Sequence, residues 1–219
     1  MLDFFAGETG VFVEVGANHP IEGSQTYALE QRGWSGILVE PLSEHASRLR
    51  SERSAKVFEV AAGAPQDAGK QLPLLVADAL STLRPDIKAG IEPQEQRLVP
   101  VMTLDAMLID AGIERIDFLS IDVEGAELDV LKGLSLAKYR PRLILLEDDV
   151  HSRDKHLYMA AHGYKLVRRT NLNNWYVPAN MDFSISIFGR WQLFRKLYLG
   201  APLRRWKFRR RQRRREAGF

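Results

Sequence analysis

The chain has 219 residues, 45% hydrophobic and 27% charged, a balance ordinary for a globular protein with one sizeable core. It contains no cysteine, which excludes disulfide frameworks, thiolate metal sites and cysteine nucleophiles. The net charge of +3 hides an asymmetry: residues 190–219 hold 12 Lys and Arg against one acid, while residues 1–189 hold 19 basic against 27 acidic residues. An acidic domain, 1–189, is thus followed by a basic tail, 190–219. The opening "MLDFFAGETG" lacks the basic start and apolar run of a secretion signal, and nothing approaches the roughly 18 apolar residues of a membrane span, so a cytoplasmic protein is expected.

Short β-rich runs alternate with helical stretches, which predicts an α/β fold with a doubly wound, mostly parallel sheet. The first strand is "VFVEVGA" (11–17). A helix follows over "SQTYALEQRG" (24–33), with Ser24 as its N-cap and Gly33 as its end. "GILVEP" (36–41) is the second strand, "SEHASRLRSE" from a Ser43 cap the second helix, and "KVFEVAA" (56–62) the third strand. Residues 63–100 break the alternation, and their prolines predict a hairpin plus a loop over the sheet that serves as a lid. "TLDAMLIDAG" begins a helix after Thr103 that buries Leu104, Met107 and Leu108 and stops at Gly112. "IDFLSID" (116–122) and "RLILLED" (142–148) are further strands. His162, before Gly163, falls at a helix end, and "YKLVRRTNLNNWYVP" (164–178) predicts two strands joined by an Asn-rich turn.

Ligands of open parallel sheets bind beyond the carboxyl ends of the strands. The first strand ends in "EVGAN", where Gly16 and Ala17 allow close approach to the backbone and Asn18 adds a short polar side chain. The glycine spacing of "GANHPIEG" is not the phosphate-cradling G-x-G-x-x-G. Glu40, closing the second strand, can accept two hydrogen bonds from a ribose diol. These features suggest an adenosine ligand without a pyrophosphate, and S-adenosylmethionine is the common cofactor of that description. In "IDFLSIDVEGAELDVLKGL" (116–134), acids crowd around Gly125. Asp122 and Glu124 precede the helix and are assigned to the ligand, while Glu127 and Asp129 sit in its first turn, where its dipole favours acids.

The segments "FVEVGAN", "GILVEP", "VPVMTLDAML" and "IDFLSIDVEGAELDVLKGL" together resemble the FkbM family of S-adenosylmethionine-dependent methyltransferases, over roughly residues 11–178. The resemblance implies a class I methyltransferase (Rossmann-like) fold with a seven-stranded sheet closed by an antiparallel hairpin. It also implies methyl transfer to a hydroxyl of a sugar or sugar-bearing lipid, as in a glycolipid or envelope glycan. The chain departs from the pattern at "HPIEGSQ", where a shorter glycine turn is frequent, and at Ser120, where lysine is common. Carried over, Glu14 and Gly16 shape the turn under the methionine portion, with Asn18 and Thr26 near its amino and carboxylate ends. Glu40 holds the ribose, Ala61 belongs to the cofactor set, and Asp122 holds the methionine ammonium. Glu14 also has a reading as a strand-end acid paired with a basic neighbour.

Glu124 is expected to face the acceptor, and Glu124, His19 and His151 are the candidate general bases. Ser81 and Thr82 of the lid are expected to meet the acceptor. Mg2+ is not required by the spacing, although Asp122, Glu147, Asp148 and Asp149 offer it hard oxygen ligands. The competing class is a methyltransferase-fold scaffold without turnover. In the tail, Trp191, Phe194, Leu197 and Tyr198 are placed on one helical side and Arg195 and Lys196 on the other. Basic residues with aromatics predict attachment to an anionic membrane surface. An arm that binds RNA, or a packed helix followed by a solvated arm, are the other readings.

Overall fold

The computed structural model describes residues 2–77, 81–83, 95–148, 152–200, 206 and 210. The main sheet grows from β1 (Val11–Val15), flanked by β2 (Ser35–Val39) and β7 (Phe118–Ile121). Outside these lie β3 (Lys56–Phe58) and β8 (Leu143–Glu147), and all five strands are parallel. Beyond β8, the antiparallel pair β10 (Asn173–Pro178) and β9 (Tyr164–Thr170) completes seven strands in the order β3-β2-β1-β7-β8-β10-β9. A second sheet of three strands joins β4 (Ala61–Ala62), β6 (Glu95–Met102) and β5 (Gln71–Val76), with β6 central.

The central strands read as continuous apolar runs because both of their faces are covered. Side chains alternate across the sheet. Val13, Val15, Ile37, Leu119 and Ile144 enter one core with Leu104, Met107 and Leu108 of α4 (Leu104–Asp110) and Val130 and Leu131 of α5 (Glu127–Lys132). Phe12, Leu38, Phe118 and Leu143 enter the other, with Phe5 of α1 (Leu2–Phe5), Leu29 of α2 (Tyr27–Glu30) and Leu49 of α3 (Ser43–Glu52). The remaining helices are α6 (Leu136–Tyr139), α7 (Asp154–Ala161) and α8 (Ile187–Phe194), the last continuing as a π-turn over Arg195–Leu199. Among the described residues, no helix is long and apolar enough to cross a membrane.

Several local expectations need correction. "KVFEVAA" is not one strand: after Glu40 N–H reaches the Phe58 carbonyl at 3.0 Å the chain leaves the sheet, and Ala61–Ala62 pair with Val101–Met102 in the smaller sheet. β1, β2 and β7 stop one or two residues early, because the backbone past them turns into the site, with positive φ at Gly16 (+80°), Asn18 (+46°) and Glu124 (+54°). Ser43 lies inside α3, which is preceded by Leu42. α2 begins only at Tyr27, yet the Ser24 hydroxyl still accepts the N–H groups of Thr26 (3.3 Å) and Tyr27 (3.1 Å). Thr103 caps α4 by accepting Ala106 N–H at 3.2 Å, and His162 follows the last residue of α7.

The connection between β1 and α2 is pinned from below by Arg53. Its buried guanidinium donates to the Pro20 carbonyl (2.9 Å), Ser24 Oγ (3.1 Å) and Thr26 Oγ1 (3.0 Å) and pairs with Glu30. Glu30 in turn accepts the N–H groups of Ser54 (3.1 Å) and Ala55 (2.8 Å), tying α2 to the start of β3. Removing one partner of a buried pair leaves the other charge unsatisfied. Arg53→Met is expected to destabilise the fold by about 3–5 kcal/mol, measured as a fall in the denaturant midpoint; a loss below about 1 kcal/mol would show that the network contributes no more than a surface pair.

Candidate active site

Parallel register determines what meets at the carboxyl end of the sheet. Val15 pairs with Val39 on one side and with Ile121 on the other, so the residues that follow, Gly16, Glu40 and Asp122, emerge side by side. Gly16 is the tightest point: a Cβ there would lie 1.8 Å from the Asp122 carbonyl oxygen, and its φ of +80° is one that L side chains rarely adopt. With no side chain between them, the tips of β1 and β7 close on each other. Around them opens a cavity whose polar lining includes Asn18, Glu40, Asp122 and Glu124, faced by apolar Val39, Leu42, Ala61 and Leu74.

Glu40 is 4% exposed. Its Oε2 accepts Asn18 N–H and its Oε1 accepts Leu42 N–H, both at 3.0 Å, and His45 Nδ1 lies 3.8 Å away. Burial pushes this carboxyl above its ordinary value, and the two amides and His45 pull only partly against that shift. A carboxylate has about four acceptor positions. Two are used, so hydrogen-bonding capacity remains at the cavity wall.

Glu14 is as deeply buried but serves a different purpose. It points to the face of the sheet that carries α2, accepting Gln25 N–H (2.6 Å), Ser24 Oγ–H (2.9 Å) and Thr26 Oγ1–H. Burial raises its pKa too, against the pull of those bonds and of Arg53. Glu14 therefore shapes the turn from beneath. Thr26 is completely buried and held by Glu14 and Arg53, so its placement at the ligand's polar end is corrected.

Asp122 and Glu124 also line the cavity, and their carboxylate oxygens lie within 4.8 Å of each other and of a carboxylate oxygen of Glu147, which is not part of the lining. Glu124 is only 8% exposed and adopts left-handed backbone conformation. Its carbonyl accepts the Thr82 hydroxyl at 2.6 Å, while Thr82 N–H and C=O pair with Leu75 at 2.9 Å. Thr82 thus fastens the insertion over the site by main-chain contacts, which corrects its expected contact with an acceptor. Ser81 does line the cavity, its hydroxyl accepting Ala77 N–H at 3.0 Å.

Of the acids offered as Mg2+ ligands, Asp122 and Glu147 join this cluster. Asp148 turns to Asn174 Nδ2 (3.0 Å), and Asp149 lies outside the described residues.

His19 Nδ1 accepts the N–H groups of Ile21 (3.2 Å) and Glu22 (3.0 Å), and His19 is not among the cavity-lining residues. Its Nδ1 is thus engaged in holding its own turn. His151 lies outside the described residues, as do parts of the expected lid (78–80, 84–94) and most of the tail beyond residue 200.

Two residues here escaped the sequence reading. Lys155 Nζ, largely buried, donates to Glu127 Oε2 and to the Glu147 carbonyl, both at 2.9 Å, and stands 3.5 Å from Asp148 Oδ1. Burial alone would lower its pKa, but the charges of Glu127 and Asp148 raise it overall. Glu127 is therefore more than a helix-start acid: its other oxygen accepts Gly125 N–H at 2.8 Å, fixing the turn that carries Glu124. His45 reaches Glu40 from the first turn of α3. Neither residue sits in a motif, so no spacing marks them.

A family model for the methyltransferase FkbM domain matches residues 14–166, a span that starts at Glu14 and contains Gly16, Glu40, Asp122 and Glu124. The chain belongs to the FkbM methyltransferase family. None of the curated proteins compared with it matches the chain.

In this FkbM domain the close approach at Gly16 is open to direct test. Gly16→Ala meets both the left-handed backbone and the Asp122 carbonyl, whereas Gly23, at φ +77°, has open space where a Cβ would go. Gly16→Ala is expected to cost about 2–4 kcal/mol and Gly23→Ala about 1 kcal/mol, compared by denaturant unfolding. Equal losses at the two sites would remove the steric role assigned to Gly16.

Proposed function

We propose that the protein is an S-adenosylmethionine-dependent O-methyltransferase acting on a hydroxyl of a sugar in a glycolipid or envelope glycan. The observation that carries this reading is Glu40, a buried carboxylate fixed by two amides, lining the same cavity as Asp122 and Glu124, whose carboxylates lie close to that of Glu147.

The lining suits the cofactor in three respects. Gly16 lines the cavity beside Asn18, so backbone without a side chain is accessible there. Glu40 retains acceptor positions for a ribose diol, and Asp122 offers a carboxylate for an ammonium group. Val39, Leu42 and Ala61 supply the apolar surface that a purine ring requires. When bound, S-adenosylmethionine supplies an electrophilic methyl group on a positively charged sulfur.

The residues then have distinct duties. Glu40 and Asn18 orient the ribose end, and Asp122 holds the amino-acid end. Glu124 would accept the proton that the acceptor hydroxyl loses on receiving the methyl group. Lys155 holds Glu127, which holds the Gly125 turn, so Glu124 is positioned through two intermediates. A wall of carboxylates accepts hydrogen bonds and repels anions, which supports an acceptor made of neutral hydroxyls.

Two expected outcomes test these assignments. Glu40→Ala should weaken binding of S-adenosylmethionine and S-adenosylhomocysteine by about 2–4 kcal/mol, read by calorimetry on folded protein. Because burial raises the Glu40 pKa, wild-type affinity should fall as pH drops through that raised value, above the ordinary glutamate range, and Glu40→Gln should flatten the dependence. Affinity that is unchanged in both variants would unseat Glu40.

In the second, Asp122→Asn should impair cofactor binding, whereas Glu124→Gln should leave affinity intact and slow turnover by about 10²–10⁴. Turnover is followed as S-adenosylhomocysteine released with envelope glycolipid extracts. Normal turnover in Glu124→Gln would move the base to another residue.

A further inference from the structure

The helix α8 and its π-turn present their surfaces in an unusual order. An ordinary surface helix turns its apolar stripe to the core and its polar face outward. Here Leu197 is buried against Leu166, and Gly189 and Leu193 line a groove with Val167 of β9. Yet Ile187 (89% exposed), Phe188 (68%) and Trp191 (51%) face outward, as do Phe194 and Tyr198. Leu197 is therefore not on the side of Trp191, Phe194 and Tyr198, which corrects the helical side read from the sequence. The outward rings form a ladder: Trp191 and Phe194 centroids are 6.0 Å apart, and Phe194 and Tyr198 5.1 Å apart, both stacked. Arg190, Arg195 and Lys196 are exposed along the same segment.

We infer that this stripe is a membrane-docking surface, with Phe188, Trp191 and Phe194 entering the interface of an anionic bilayer while the basic residues of 190–219 engage its headgroups. Charge complementarity selects the partner, since 12 of these 30 residues are Lys or Arg and one is acidic. Aromatic side chains flanked by cations are the composition of interfacial helices. The segment from Ile187 to Leu199 spans roughly 20 Å, short of the roughly 30 Å hydrocarbon core, so it lies along the surface.

Two other occupants fit less well. A second copy of the chain needs roughly 800 Å² per partner for a stable dimer, and one short helix face offers only a fraction of that. RNA needs rings presented singly to the bases, whereas Trp191, Phe194 and Tyr198 are already stacked on each other.

This inference does not rest on the methyl-transfer reading, and its test leaves that reading untouched. The full chain is sedimented with phosphatidylcholine vesicles, with and without phosphatidylglycerol, and compared with Phe188→Ser/Trp191→Ser/Phe194→Ser, which keeps every charge. The parent is expected to bind the anionic vesicles, and the triple variant to lose about tenfold or more of that affinity at unchanged unfolding midpoint and S-adenosylmethionine affinity. Equal vesicle binding by parent and variant would overturn the inference, leaving charge alone as the attachment. So would a parent that ignores vesicles, whether it forms a dimer that the variant dissolves or binds single-stranded RNA through the same residues.

Discussion

The contact between Gly16 and the Asp122 carbonyl is the constraint on which the site depends. β1 and β7 are adjacent and parallel, with Val15 level with Ile121, so their ends converge only as far as the next residues permit. A side chain at Gly16 would collide with the Asp122 carbonyl at 1.8 Å. Its absence lets the strand ends close, and the left-handed turn through Gly16 and Asn18 then aims Asn18 N–H at Glu40. Glu40 and Asp122 thus flank one backbone turn because a single atom is missing between two strands.

Two buried glutamates show how equal burial leads to different work. Both are pushed up in pKa by desolvation, and a buried carboxylate has to be satisfied by hydrogen bonds. Glu14 meets that requirement wholly inside the protein, through Ser24, Gln25 and Thr26, with Arg53 nearby. Glu40 meets only part of it with two amides and opens the rest to the cavity. Capacity left unused, and not depth of burial, separates the glutamate that holds a turn from the one that faces the cavity.

Strand order and register account for what was legible beforehand. A residue just past the end of a buried parallel strand faces the ligand crevice whatever its tertiary partners, and so Gly16, Glu40 and Asp122 could be placed from the sequence, as could the neighbouring Glu124. Side chains whose role depends on a distant partner could not. Thr82 looked like an acceptor contact, but its hydroxyl is taken by a carbonyl 42 residues away, and Thr26 is claimed by Arg53, 27 residues on. Lys155 is marked by no motif, because its importance comes from Glu127 and Asp148 closing around it. The side of the tail helix was misjudged at Leu197 for a related reason: helical spacing lists apolar residues, but packing on Leu166 decides which of them is inside.

The two proposals meet in the distribution of charge. Residues 1–189 carry an excess of acids and the tail a larger excess of bases, so an anionic surface would attract one end of the molecule and repel the other. Such a dipole orients a peripheral protein without a large contact area, since long-range attraction at one patch and repulsion elsewhere both favour the same pose. α8 packs on β9, the edge strand at the end of the sheet opposite β3, and the cavity opens where β1, β2 and β7 end. Asp122 and Glu124 line that cavity with the Glu147 carboxylate within 4.8 Å of theirs, a concentration of acid that disfavours anionic groups there. On the two proposals taken together, neutral hydroxyls carried by a lipid are groups that both charge patterns would admit.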